Sequence, residues 1–240
     1  FGATAFAHSP PSGYKKINTA NLPTPAVKDG TKYFQTTLYE GDGSTQSIDQ
    51  AGNSTFSPNL VWIKNRDAAD AHALFDTVRG ATKVLSSNVT TAEATNDDTL
   101  TAFESDGFAL GDDVIVNTNA ESYVAWQWNE GATPGFDIVS YTGNATARTI
   151  AHNLGVVPEM MIVKNRADTD NWAVYHAANT AAPATDYLVL NANSATADDA
   201  TVWNDTAPTS SVFSVGTSSL TNGNTEAMIA YVFAPVEGFS

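Results

Sequence analysis

The chain has 240 residues with 10% aromatic side chains, so it can bury more than one hydrophobic core. Its formal charge of −15, from 26 Asp and Glu against 11 Lys and Arg, repels phosphate backbones and anionic lipids, which argues against nucleic acid and membranes as partners. There is no cysteine, which excludes disulfides and thiolate metal sites, and no apolar run is long enough to predict membrane insertion.

Residues 1–32 are predicted to lie outside the repeated part of the chain. Residues 1–6 are typical of a strand that closes a preceding domain, and Pro10, Pro11, Pro23 and Pro25 follow with polar residues between them. Because proline fixes φ and lacks an N–H donor, this stretch predicts an extended arm and not the interior of a sheet. We therefore expect the end of a preceding domain followed by a Pro-rich linker.

The rest of the chain repeats itself. Residues 61–66 read Val-Trp-Ile-Lys-Asn-Arg, and residues 161–166 read Met-Ile-Val-Lys-Asn-Arg, 100 positions later (164 − 64). Further pairs keep the same order, among them residues 123–128 with 228–233 at an offset of 105 (228 − 123). A period near 100 is too long for a solenoid repeat and matches a small domain. The sequence predicts two tandem modules, residues 33–134 and 135–240.

Within each module the periodicity is that of β-strands. Residues 33–39 are aromatic and β-branched and end at a Gly-Asp-Gly turn, and residues 60–63 are a short apolar run. Residues 123–128 alternate, with Trp126 and Trp128 on one face. Helices are predicted only at residues 68–74 and 91–95. Short strands about 10 residues apart with turns between them predict a β-sandwich, so the fold class is all-β with two tandem homologous sandwich modules.

Several strings resemble a known but uncharacterised family, a tandem β-domain of virion structural proteins of tailed bacteriophages, particularly marine phages. The strings are residues 56–66, 72–83, 100–103, 106–108 and 123–126. Residues 1–15 resemble the end of the SPRY-like domain that such modules often follow. The likeness is strong over 56–128 and looser in the second module. It implies a concanavalin-like or jelly-roll sandwich and a place in the virion, and it supplies no catalytic residues.

The strongest candidates for a functional site are the repeated Lys-Asn-Arg strings, because basic residues are scarce in this chain. They are Lys64, Asn65 and Arg66 in the first module and Lys164, Asn165 and Arg166 in the second. A binding role would have the Lys-Arg pair hold a carboxylate or a sugar acid. A structural role would have these groups neutralise nearby acids and bind loop carbonyls, and their presence in both modules favours it.

The tryptophans are a second set of candidates, since their rings could stack on sugars. Most lie at apolar strand positions, which favours core packing. Trp203 lies between polar residues and is predicted to be the best exposed ring.

The sequence gives little support for a catalytic, cofactor-binding or metal-binding site. His8, His72, His152 and His176 carry no nucleophile motif, and His72 and His176 align with Trp172 and Asp76. The acid doublets at 97–98, 112–113 and 198–199 are adjacent residues, which on a strand point to opposite faces. The loop at residues 168–171 offers oxygen ligands but fits no complete calcium motif. We predict no enzyme activity, no cofactor and no metal.

The sequence therefore predicts a non-enzymatic segment of a bacteriophage virion, in an appendage, a tail fibre or a head decoration. Its polar loops would contribute to host-surface attachment. The expected location is the particle surface, and the expected partners are other virion proteins, further copies of the chain (a trimer is one option) and a host glycan. A lectin-like carbohydrate-binding module is the alternative, and a polysaccharide depolymerase comes third.

Overall fold

The structure is a computed structural model that describes residues 11–12 and 25–240. The predicted strand at residues 1–6, most of the predicted arm and His8 lie outside the described residues. The described part consists of antiparallel β-sheets with three one-turn α-helices. The prediction of an all-β fold is confirmed.

Module 1 is built from two sheets. In chain order its elements are β1 Phe34–Glu40, β2 Gln46–Asp49, β3 Leu60–Asn65, β4 Ala73–Asp76, β5 Lys83–Ser86, β6 Ala94–Thr95, β7 Leu100–Glu104, β8 Gly107–Leu110, α1 Val114–Asn117 and β9 Ser122–Trp128. The large sheet has the order β1-β9-β3-β4-β5-β6, and the small sheet has the order β2-β8-β7.

Module 2 repeats this plan. Its elements are β10 Phe136–Thr142, β11 Arg148–Ala151, β12 Met160–Asn165, β13 Ala173–His176, β14 Asp186–Val189, β15 Ala197–Asp198, α2 Ala200–Trp203, β16 Val212–Val215, α3 Ser219–Asn222 and β17 Ala227–Phe233. The large sheet has the order β10-β17-β12-β13-β14-β15, which matches module 1 strand for strand, and β11 pairs with β16 as β2 pairs with β8. Helix α2 occupies the place of the turn that leads into β7, since the amide of Gly216 donates to the carbonyl of Val202 as the amide of Gly111 donates to that of Thr99.

Each module is a sandwich whose core lies between its large and small sheets. In module 1 the core includes Ile63 of β3, Phe75 of β4 and Phe108 of β8. In module 2 the corresponding core includes Val163 of β12, Tyr175 of β13 and Phe213 of β16. The alternation along β9 produces this, because Tyr123 and Ala125 point into the core while their neighbours point to the other face of the large sheet.

A third core joins the two modules. The outer faces of the large sheets, which point away from each module's own core, pack against each other. The residues from module 1 are Leu60, Leu74 and Leu85, and those from module 2 are Phe136, Ile138, Ile162, Trp172, Val174, Ile229 and Tyr231. Burial of this apolar surface makes the two modules one packed unit, in contrast to two domains joined only by a flexible linker.

Matching buried asparagines hold matching turns in the two modules. The Asn117 side chain donates to the carbonyls of Gly111 and Ser44 and accepts from the amide of Asp42. Asn222 does the same with Gly216, Thr146 and Asn144. Because both amides are fully buried, each satisfies several backbone groups that the turns would otherwise leave unpaired.

Both helix predictions were wrong. Residues 66–68 form bends and residues 69–72 are irregular up to β4, because the Asn65 side-chain oxygen accepts from the amides of Asp67 and Ala68 and fixes a tight turn. Residues 91–93 are irregular and lead into β6, which pairs with β5. In the described part of the chain, no helix has the length and apolar character needed to cross a membrane.

Candidate binding face and the interface between the modules

The repeated asparagine organises the loop after the third strand in each module. The Asn65 amide donates to Asp70 at 2.7 Å and to Glu121 at 2.5 Å. Asn165 donates to Asp170 at 3.0 Å and to Glu226 at 2.6 Å, and its oxygen accepts from the amide of Ala167. Both asparagines are buried, so their hydrogen bonds go to their own module.

The repeated lysines occupy equivalent positions but different environments. The Nζ of Lys164 is bound by the carbonyls of Thr90, Asp168 and Asp170 at 2.9–3.1 Å, and Thr90 belongs to module 1. Lys64 is half-buried and donates to the carbonyls of Asn65 and Ala68 within its own module. Burial lowers the pKa of Lys164 to about 8, although the nearby carboxylates oppose this effect.

The hydrogen bonds of Lys164 also involve the loop at residues 168–171, which was the candidate calcium site. Two of its backbone carbonyls, from Asp168 and Asp170, already bind the Lys164 ammonium. Across residues 11–12 and 25–240, no three His, Asp or Glu side chains are grouped so that they could hold a metal ion.

The lysine pair gives a matched prediction. Lys164→Met removes a buried cation that donates to three backbone carbonyls, so we expect the free energy of unfolding to fall by about 2–3 kcal/mol. Lys64→Met removes a half-buried cation at the equivalent position, and we expect a loss of less than about 1 kcal/mol. Urea denaturation measures both. Equal losses in the two variants would contradict the assigned difference in environment.

The repeated arginines also differ. Arg166 holds the Glu93 carboxylate of module 1 with two parallel bonds, Nε to Oε2 at 2.9 Å and Nη2 to Oε1 at 2.8 Å. Arg66 is exposed and makes no ion pair with the residues that the structure describes. The bidentate geometry is the one in which Arg is strongest, so Arg166 bridges the two modules.

A buried polar network continues from Glu93 into the interface. Arg79 contacts Glu93 at 3.2 Å and forms an ion pair with Asp76, and both Arg79 and Asp76 side chains are fully buried. Asp76 also accepts a hydrogen bond from the Tyr231 hydroxyl of module 2 at 2.7 Å. The position that matches Asp76 in module 2 is His176, which is exposed. The network therefore serves both the contact between modules, through Tyr231, and the β4–β5 connection of module 1, through the carbonyls of Leu74 and Lys83.

A carboxyl pair lies where the two modules join. Glu130 accepts from the amide of Ile138 at 3.0 Å and lies beside Asp137, which is buried and accepts from the amide of Asn153 at 2.6 Å. Burial raises the pKa of Glu130 to about 7, and the Asp137 carboxyl adds to the shift.

Glu130 should make the folded chain less stable as the pH rises. The folded chain holds a proton on Glu130 up to about pH 7, whereas the unfolded chain releases it near its pKa of 4.5, so the stability from this group is present below 4.5 and lost as pH rises to 7. Because Glu130 is only half-buried, we expect a loss of about 1 kcal/mol across that window. In Glu130→Gln the fall should be absent. Denaturation of both proteins at several pH values between about 4.5 and 7.5 checks this, and identical pH profiles would contradict it.

Six positions on the outer face of each large sheet correspond by strand register. In module 1 they are Phe34, Trp62, Lys64, His72, Trp126 and Trp128, which we name the open face. In module 2 they are Phe136, Ile162, Lys164, Trp172, Tyr231 and Phe233, which we name the covered face. The covered face packs against module 1, whereas the open face lines a groove of about 430 Å³.

The open face is aromatic and only half-buried. Trp62 packs edge-on against Trp126 with ring centroids 6.3 Å apart and lies 6.4 Å from Trp128. The indole Nε1 of Trp62 is buried and has no partner among the described residues. Leu38, 63% exposed, extends the apolar surface along β1. Core packing was predicted for these tryptophans. Strand alternation turns them to the outer side of the sheet, where Trp62 and Trp128 pack against the third core and Trp126 lines the groove.

The prediction that Trp203 is exposed was wrong. Its side chain is 1% exposed and packs edge-on against Tyr175, 6.1 Å away, in the core of module 2. Helix α2 causes this, because Asp199 caps its start through the amide of Thr201 and Asn204 ends it in the left-handed conformation. The Asp-x-Thr cap just before Val202 and Trp203 was the sequence signal for this turn.

The other candidates for chemistry have structural roles. His152 is buried and binds the Thr209 carbonyl at 3.0 Å, and exposed His176 accepts from the amide of Ala178. Burial lowers the pKa of His72, which lines the open face. In two of the acid doublets, Asp113 and Asp199 cap helices. Among the described residues, the structure brings none of these groups together as a nucleophile with a base.

Comparisons with known proteins give a family and a weak fold likeness. Residues 29–240 match the family described as "Domain of unknown function (DUF7483)". No curated protein matches the sequence. A solved structure described as "Crystal Structure of the STIV MCP" is 10% identical over 86% of each chain, with a TM-score of 0.27. A likeness at that TM-score carries no argument about function.

Proposed function

The chain belongs to the DUF7483 family, whose function is unknown, and we propose that it is a non-enzymatic structural segment of a bacteriophage virion. We place it in an appendage, a tail fibre or a head decoration on the outside of the particle. The partners in this proposal are other virion proteins. The polar loops of the two modules face outward and contribute to contact with the host surface.

One observation carries the proposal, the fusion of two homologous sandwiches into a single block. The third core and the chain of buried polar contacts from Arg166 through Glu93, Arg79 and Asp76 to Tyr231 hold the modules at a fixed relative position. A protein that only tethered binding modules would need no such core between them. A component of a virus particle must keep its shape under mechanical load. Two modules packed into one block have the fixed shape that this requires.

The resemblance of residues 56–128 to tandem modules of phage virion proteins supports the location. It rests on strings such as Lys64-Asn65-Arg66, in which the Lys and Asn side chains hold strand ends and loops in both modules. Because these residues stabilise the fold, sharing them indicates common ancestry with the phage modules. It does not indicate a shared ligand.

A carbohydrate-binding module is the second candidate, and the open face favours it. Half-buried indole rings on a sheet can stack against the apolar faces of sugar rings. The depolymerase alternative has less support. A glycosidase needs two carboxyls about 5–9 Å apart across a cleft, whereas none of the described Asp or Glu side chains lines the groove of the open face.

Particles purified from cells that carry the gene provide the test. We expect quantitative mass spectrometry to find the chain at a fixed copy number per particle, and gold-labelled antibodies against it to decorate intact particles. An abundant cytosolic protein serves as the control for carry-over. Recovery of the chain only in the cell-free supernatant, with particles devoid of it, would overturn the proposal. Binding on a glycan array that Trp126→Glu abolishes would favour the second candidate.

A further inference from the structure

The covered face of module 2 is occupied by a short segment of module 1, residues 86–93, which we name the docking segment. The Trp172 indole donates to the carbonyls of Ser86 and Val89 at 3.0 and 3.2 Å. Lys164 donates to the carbonyl of Thr90, and the amide of Glu93 donates to the carbonyl of Arg166 at 2.9 Å. The contact is therefore made largely by backbone carbonyls of one module with cationic and indole donors of the other.

The two surfaces of this contact have counterparts elsewhere in the chain. The open face of module 1 carries the same register positions as the covered face, with Lys64 at the position of Lys164 and His72 at that of Trp172, and Trp62 and Trp128 border it where they pack against the third core. The counterpart of the docking segment in module 2 is residues 189–196, which we name the free segment. Its residues are half-buried or exposed, and Leu190 is 37% exposed.

The free segment is held in the same way as the docking segment. The Asn88 side chain accepts from the amide of His72 at 2.9 Å, and the Asn191 side chain accepts from the amide of Trp172 at 2.9 Å. Each asparagine fixes its segment to the start of the neighbouring strand. The free segment is therefore anchored in the same way as the segment that makes the contact inside the chain.

We propose that copies of this chain associate head to tail, with the free segment of one copy on the open face of the next. The Leu190 side chain enters the groove that the Trp62, Trp126 and Trp128 rings line. Backbone carbonyls of residues 189–193 accept from Lys64, as that of Thr90 accepts from Lys164 within the chain. The contact between copies thus uses the same segment and the same lysine position as the contact between modules, without its apolar core.

The proposed contact has a definite symmetry and a limited strength. The two surfaces differ, so the contact is heterologous and produces a ring if its rotation closes or a filament if it does not. Thr196 stands where the docking segment has Glu93, so the bidentate ion pair of Arg166 has no counterpart on Arg66. Each copy also carries a charge of −15. The association is therefore reversible and strengthens as added salt screens this repulsion.

Sedimentation velocity on the full chain tests the proposal with two complementary variants. Trp126→Glu damages the open face and Leu190→Asp damages the free segment, and each alone should weaken self-association by about 30-fold or more. Their equimolar mixture should form a one-to-one dimer and nothing larger, because it retains one intact face and one intact segment. Val114→Asp, at an exposed apolar residue of α1 outside both surfaces, should behave like the unaltered chain.

The outcomes separate the alternatives. Circular dichroism establishes that each variant is folded, and Leu38→Glu on the same face replaces Trp126→Glu if that variant does not fold. A chain that remains monomeric up to its solubility limit at high salt would overturn the proposal. So would a mixture of the two variants that remains monomeric, or self-association that neither variant weakens. Glycan binding by a monomeric chain, lost in Trp126→Glu, would assign the face to a sugar instead.

Discussion

Replacing Arg79 by alanine should lower the free energy of unfolding by about 3–5 kcal/mol, the cost of breaking a buried ion pair by removing one partner. Arg79 donates to Asp76, to the carbonyls of Leu74 and Lys83, and to Glu93. Without it, the Asp76 carboxylate stays buried with the Tyr231 hydroxyl as its remaining side-chain donor. Guanidinium denaturation followed by tryptophan fluorescence measures the loss.

Arg66→Ala is the matched control, because Arg66 is exposed and should change stability by less than about 0.5 kcal/mol. The paired variant Asp76→Ala/Arg79→Ala adds a second test. It should lose less than the sum of the two single losses, because the lone buried charge is then absent. An Arg79→Ala loss no larger than that of Arg66→Ala would contradict the assignment of the network as a buried support of the interface.

The second large effect is expected for Trp172→Ala, with a loss of about 3–5 kcal/mol for an aromatic ring removed from a packed core. Trp172 is fully buried, stacks with Tyr231 at a centroid distance of 6.5 Å, and makes both hydrogen bonds to the docking segment. Because these contacts lie between the modules, the variant should also lose cooperativity. We expect its thermal unfolding to separate into two calorimetric transitions.

His72 is the register counterpart of Trp172 in module 1, so His72→Ala serves as the control. It lines an open groove and should cost less than about 1 kcal/mol, with a single transition retained. If Trp172→Ala keeps a single transition with a small loss, the third core does not couple the modules.

Much of the fold could be predicted because the same pattern of strands occurs twice in the sequence. Alternation along residues 123–128 and the repeated strings at 61–66 and 161–166 predict homologous sheets, and the all-β sandwich fold is confirmed. The inward positions were identified correctly for Ile63, Phe75 and Phe108, since a period of two leaves one choice of face once the core side is known.

The relation between the modules could not be predicted from the repeat. Lys64 and Lys164 stand in nearly the same local sequence, yet one lines a groove and the other is buried beneath a segment of the first module. That difference depends on contacts between residues more than 70 positions apart, which no local pattern encodes. The change from His72 to Trp172 was the available sign, because a larger apolar ring favours the covered position.

Trp203 shows a different kind of failure. Polar neighbours in sequence suggested exposure, but a one-turn helix with a capping Asp199 turned the ring into the core. Trp203 stands where module 1 has Leu100, a buried core residue, so the alignment of the two modules did point to burial. The bacteriophage location stays a prediction that the particle experiments address, and the absence of enzyme activity also stays a prediction.

A cryo-EM reconstruction of particles purified from cells that carry the gene would test the virion role and the fused block together. We expect density for a two-module block on the outside of the particle, with the large sheets of the two modules face to face. Neighbouring blocks should meet through residues 189–196 and the open face. Particles whose density is fully explained by other proteins would contradict the virion role, and modules seen apart on a flexible linker would contradict the fused block.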